Sequence, residues 1–132
     1  MEEIRKDVLN YIICDINKSL ARLGVNAPLG DAKPTRRGDS YEAKTLGLVK
    51  QEPVIFDTLA IEAYITNRGT KDGICNISVG LSWRWTHFGG GSNGCDLGWV
   101  EYCVNEEALP EKEVNDFRDM SYYVHRTHGL TI

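Results

Sequence analysis

The residues best suited to chemistry crowd into one stretch of the chain. Trp83, Trp85, Phe88, Trp99 and Tyr102 fall within twenty residues, beside Arg84, His87, Asn93 and Asp96. Indole and phenol rings offer flat stacking surfaces, while Arg, Asn and Asp carry the donors and acceptors that read the edge of a base or a ribose. Part of the cluster has a simpler use. Trp83 and Trp85 share the parity of Val79 and Leu81 and so suit a hydrophobic core. Phe88, between His87 and Gly89, is the aromatic least suited to burial within its own chain. A ligand or partner site is therefore expected at Arg84, Trp85, His87, Phe88, Asn93, Asp96 and Trp99, with Arg36 and Arg37 as a second source of positive charge.

Other chemistries lack their residues in the required pattern. The segment His87–Gly94 (HFGGGSNG) could form an anion-binding nest from successive backbone N–H groups. Phosphate loops of nucleotide-binding folds lead from a strand into a helix, however, and this one joins two strand-like segments with no Lys-Ser or Lys-Thr behind it. A hairpin turn explains it better. Cys95, Cys103, His87, His125 and His128 are the metal-capable side chains, but no Cys-x-x-Cys unit accompanies them, so no metal and no other cofactor is expected. A small hydrolase would have to use His87 with Asp96, or His87 with Cys95, across a single turn.

Composition narrows the class. The 132 residues are 42% hydrophobic and 26% charged, which suits a single domain spanning residues 1–132 and is too apolar for disorder. A net charge of −4 conceals an asymmetry: residues 1–50 hold nine Lys or Arg against seven acids, and residues 51–132 hold six against twelve. Coating a duplex means neutralising many phosphates, so duplex nucleic acid is not an expected partner. The local surplus at Lys33, Arg36, Arg37, Lys44 and Lys50 still suits one small anion. No apolar run approaches the roughly 20 residues of a membrane helix. The N-terminus, MEEIRKDVLNYII, enters helical periodicity at once instead of forming a signal peptide. Cys14, Cys75, Cys95 and Cys103 then read as reduced thiols of a cytoplasmic protein.

The elements that would position these residues follow from periodicity. Ile4, Val8, Ile12, Ile16 and Leu20 recur every fourth residue, which predicts an amphipathic helix over 1–24 that ends at Gly24. Pro28, Gly30, Pro34 and Gly38 mark a long basic loop over 25–52, with a weak strand signal in 43–50. Residues 53–104 read as an antiparallel meander. In Ile55–Thr66 the positions Ile55, Leu59, Ile61, Ala63 and Ile65 share one parity, and Cys75, Ile77, Val79, Leu81, Trp83 and Trp85 alternate with Asn76, Ser78, Gly80, Ser82, Arg84 and Thr86. A third strand near 96–104 has mixed parity, because Leu97, Trp99 and Cys103 oppose Val100, Tyr102 and Val104. Pro110, Glu111 and Glu113 predict a second helix over 105–127, with Val114, Phe117, Ser121 and Val124 as its apolar side. The expected fold is thus α+β: an N-terminal helix, a three-stranded or at most four-stranded meander and a C-terminal helix.

The leading functional expectation is a small non-enzymatic binding protein, of the kind phages and mobile elements use to sequester a signal or block a host protein. Its partner would be a nucleotide-like anion or another protein, and its exposed sheet edges predict a homo-oligomer. An alternative rests on the stretch Val79–Trp99, whose strand, polar turn and Asp-x-Gly resemble the hairpin of single-strand annealing recombination proteins. That resemblance implies single-stranded nucleic-acid binding. It covers about twenty residues, and the basic helix such proteins place after the hairpin is replaced here by the acidic stretch Glu106–Asp119. The hydrolase built on His87 and Asp96 is the remaining alternative.

Overall fold

The apolar stripe near the N-terminus forms α1 (Lys6–Arg22), whose Val8, Leu9, Ile12, Ile13, Ile16 and Leu20 are all buried. A stripe of this width must find a sheet to cover. The computed structural model describes residues 3–22, 28–45, 56–87 and 92–129, with the backbone alone for 56–59, 85–87 and 92–95. Among these residues the sheet has six antiparallel strands in chain order: β1 (Lys33–Pro34), β2 (Tyr41–Lys44), β3 (Phe56–Lys71), β4 (Ile74–His87), β5 (Ser92–Asn105) and β6 (Val124–His128). A single four-residue helix, α2 (Phe117–Met120), precedes β6.

One face of the sheet meets α1. Ile61, Ala63 and Ile65 of β3, Ile77, Val79 and Leu81 of β4, and Val100, Tyr102 and Val104 of β5 are buried together with the helix stripe. β3 and β4 join through Asp72 and Gly73, both at positive φ (54° and 78°), the backbone a two-residue hairpin turn needs. Tyr102, fully buried, donates its hydroxyl to the Asp15 carboxylate at 2.7 Å and so ties sheet to helix. Burial and this carboxylate together raise the phenol's pKa far above its ordinary value, so it remains a donor.

The expected three- or four-stranded meander is corrected to six strands. The basic loop contains a hairpin: β1 and β2 pair through Lys33–Glu42 and Pro34–Tyr41, and β2 then pairs with β3. β1 is only two residues long and ends in proline, so it carries no alternation to read.

The expected helix over 105–127 is also corrected. That segment runs through turns, the short α2 and the edge strand β6. The physical reason lies at the other end of the chain. A helix starting at Pro110 would bond the Val114 N–H to the Pro110 carbonyl. Instead the Val114 N–H donates to Asp7 at 2.8 Å, and the Pro110 carbonyl accepts from Arg5 at 2.5 Å.

The mixed parity of β5 has a local cause. Leu81 pairs with Gly98 but Ser82 pairs with Asp96, so Leu97 is an extra residue in a β-bulge. Gly98 there has φ 127°. Beyond the bulge Val100, Tyr102 and Val104 face the helix, while Trp99 is left exposed on the opposite face.

Candidate ligand-binding site

The face of the sheet away from α1 carries the second half of the period-2 pattern. On β3 this is Glu62, Tyr64 and Thr66, and on β4 it is Ser78, Gly80, Ser82 and Arg84. Register aligns them in rows. Tyr64, Gly80 and Trp99 form one row across β3, β4 and β5. Glu62, Ser82 and Asp96 form the next, roughly 6.6 Å further along the strands. Thr66, Ser78 and Glu101 lie as far on the other side.

Gly80 is the floor of this arrangement. A Cβ added there would meet nothing within 4 Å, so no packing contact demands glycine at a position where strands disfavour it. The result is a slot with an aromatic wall on each side. Its walls stand two strands apart, about 9–10 Å at the backbone. A planar ring held between two others needs roughly 7 Å for its two contacts. The slot opens into a hollow of about 580 Å³ lined by Tyr64, Gly80, Ser82, Arg84, Asp96 and Trp99 among others. That volume lies within the usual range for small-molecule sites.

The walls are held in place by neighbours. The Trp99 indole stacks on the His128 imidazole, with centroids 4.7 Å apart and planes at 14°. Its own exposure is 52%, an unusual value for the largest side chain. Tyr64 donates its hydroxyl to Glu62 at 3.1 Å. Burial, then that hydrogen bond and the charges of Glu62 and Glu42, push the phenol's pKa up, so it too stays protonated. Glu62 is paired with Arg84 at 3.2 Å and with Lys44 at 3.5 Å. Asp96 faces the hollow with no ion pair or hydrogen bond to any described residue.

Three of the expected site residues therefore converge: Arg84, Asp96 and Trp99. No family model, curated protein or solved structure matches the chain. The site's own geometry then has to carry the functional reading.

Arg36 and Arg37 do not join this group. They lie in the exposed turn between β1 and β2, beyond the Tyr41–Ile65 pair, whereas Arg84 pairs with Ala60. Five residues of strand, roughly 16 Å, separate Ile65 from Ala60. They share instead the end of the sheet that holds Arg68, whose Nε donates to Ser78 Oγ at 3.0 Å. Phe88 lies outside the described residues, as do the side chains of Trp85, His87 and Asn93. Their backbones place Trp85 opposite Asn93 and His87 opposite Phe56. Trp83 is half-buried and packs against the core.

Among the described residues no cluster of three metal-capable side chains exists; Cys14 and Cys103 are free thiols, and the buried Cys75 thiol donates to Asn67 Oδ1 at 3.3 Å. No described helix is long and apolar enough to cross a membrane. Sequence reading missed Tyr64, Gly80 and Ser82. Their signal was present, since Gly80 and Ser82 occupy the outward parity of the clearest strand, but one strand's parity does not reveal which residues of the next strands stand beside it.

Proposed function

We propose that the chain is a small binding protein that sequesters a nucleotide-like anion in the slot over Gly80, without transforming it. The observation that carries this reading is the row Tyr64–Gly80–Trp99, two aromatic walls with an unfilled glycine between them. Stacking on aromatic side chains is worth about 1–3 kcal/mol per base and suits any planar heterocycle. Arg68, at one end of the slot, and Arg84, at the other, are cations within the same exposed face. Either can meet an anionic group of the ligand, Arg68 by its position beside Ser78 and Arg84 through the hollow it lines.

The expected cytoplasmic setting and homo-oligomeric state belong to this proposal. The Cys14 and Cys103 thiols suit a reducing compartment, and among the described residues β6 ends the sheet with an edge that pairs with no further strand and that a second copy would cover. Isothermal titration of the purified chain against linear and cyclic nucleotides tests the reading. Saturable heat with at least one of them, lost in Trp99→Ala, is the expected result. Silence across the panel at millimolar ligand overturns it.

A further inference from the structure

Resting on that reading, we infer that the row Glu62–Ser82–Asp96 gives the slot a preference for a guanine-type edge. A ring seated over Gly80 points one edge along β4 towards this row, roughly 6.6 Å away, which is the reach of a heterocycle's edge plus one hydrogen bond. The row presents three different groups in order. On the β3 side is Glu62, covered by Arg84, which folds back from the next outward position of β4 so that its Nε meets the Glu62 carboxylate at 3.2 Å. The two Nη groups of Arg84 make no hydrogen bond to a described residue. In the middle is the Ser82 hydroxyl, which donates or accepts. On the β5 side is Asp96, whose carboxylate only accepts.

Donor, adaptable group and double acceptor form a readable sequence. Guanine presents its complement: O6 accepts from Arg84 or Ser82, and the adjacent N1–H and N2–H₂ donate to the two oxygens of Asp96. Adenine places an acceptor, N1, beside its single amino donor and leaves Arg84 without a partner. Uracil directs a carbonyl at the carboxylate from either orientation. Cytosine fits in reverse, with one donor for Asp96 where guanine has two. The expected order is guanine, then cytosine, then adenine and uracil. An edge carrying the same 2-amino-oxo pattern on another ring system, a pterin, presents the same chemistry.

Competition of the wild-type chain with GMP, IMP, CMP, AMP, UMP and a pterin tests this. GMP should bind at least about tenfold tighter than AMP or UMP, the discrimination a two-point edge contact provides. IMP, which lacks only the 2-amino group, should fall between them. A pterin that outcompetes GMP keeps the edge chemistry and assigns its source to the free heterocycle. In Asp96→Asn the advantage of GMP over IMP should vanish while circular dichroism and Tm stay unchanged. AMP or UMP binding within threefold of GMP, or an unchanged preference in Asp96→Asn, overturns the inference and leaves the slot standing. Absence of binding by every ligand of the panel overturns both.

Discussion

The Arg5 guanidinium and the Asp7 carboxylate meet through two hydrogen bonds, Nε to Oδ1 at 3.1 Å and Nη2 to Oδ2 at 2.6 Å. The Asp7 side chain is fully enclosed, and it also accepts from the N–H groups of Val8 and Val114. Arg5 in turn donates to the carbonyls of Pro110 and Lys112. Two residues at the start of the chain thus hold a segment more than a hundred residues away. Asp7→Asn should cost about 2–4 kcal/mol, because it leaves Arg5 without its carboxylate and weakens two backbone contacts. Urea unfolding of the two proteins at neutral pH measures the difference.

The same carboxylate gives stability a defined pH dependence. Burial raises its pKa, but the Arg5 hydrogen bond, the Val114 N–H, the Arg5 charge and the Val8 N–H together outweigh burial, and the net shift is downward from 3.8. A lowered folded value means that the contribution is complete above 3.8 and is lost as pH falls through the lower folded value. The gap in urea midpoint between wild type and Asp7→Asn should therefore be widest near about pH 7 and shrink on titration towards about pH 3. A gap that stays constant across that range would show that Asp7 acts through shape alone.

Gly80→Val separates the slot from the fold. The added side chain enters open space, and a β-branched residue suits a strand interior, so stability should stay within about 1 kcal/mol of wild type or rise. Ligand binding should be lost, because the floor between Tyr64 and Trp99 is then filled. Thermal unfolding and titration calorimetry on one preparation check both halves.

Tyr102→Phe tests the tie between sheet and helix. The ring stays in the core, but the Asp15 carboxylate loses a 2.7 Å donor and keeps Arg126 at 3.6 Å. A loss of about 1–2 kcal/mol is expected, with nucleotide binding unchanged, since Tyr102 faces α1 and not the hollow.

The parts of this fold that were legible in the sequence are those whose signal is local. The stripe Val8–Ile12–Ile16–Leu20 and the alternation Cys75–Ile77–Val79–Leu81 sit in the structure on buried faces, because one helix turn or one pleat decides each position. What stayed hidden depends on distant partners. Val114 and Phe117 have helical spacing, yet Asp7 and Arg5 occupy the backbone groups a helix would use. Asp96, Arg84 and Trp99 were visible as suited to ligand contact, but the row that makes them a site also needs Tyr64 and Gly80, and only strand register joins those three strands.

Leu97 shows how little separates a binding face from a core. The backbone pairing with β4 is one-to-one on either side of it, so this one surplus residue acts as a half-period phase shift. It lets Asp96 and Trp99, an odd number of positions apart, look out from the same face. Were it deleted, one of the two would turn inward: either the indole would compete with Val100 for the interior, or the carboxylate would be driven into it. The two halves of the hairpin are thereby decoupled. Residues towards the tip can change without disturbing the faces of Trp99 to Val104, and ligand selection can be retuned on one side of the shift while the core on the other side is left alone.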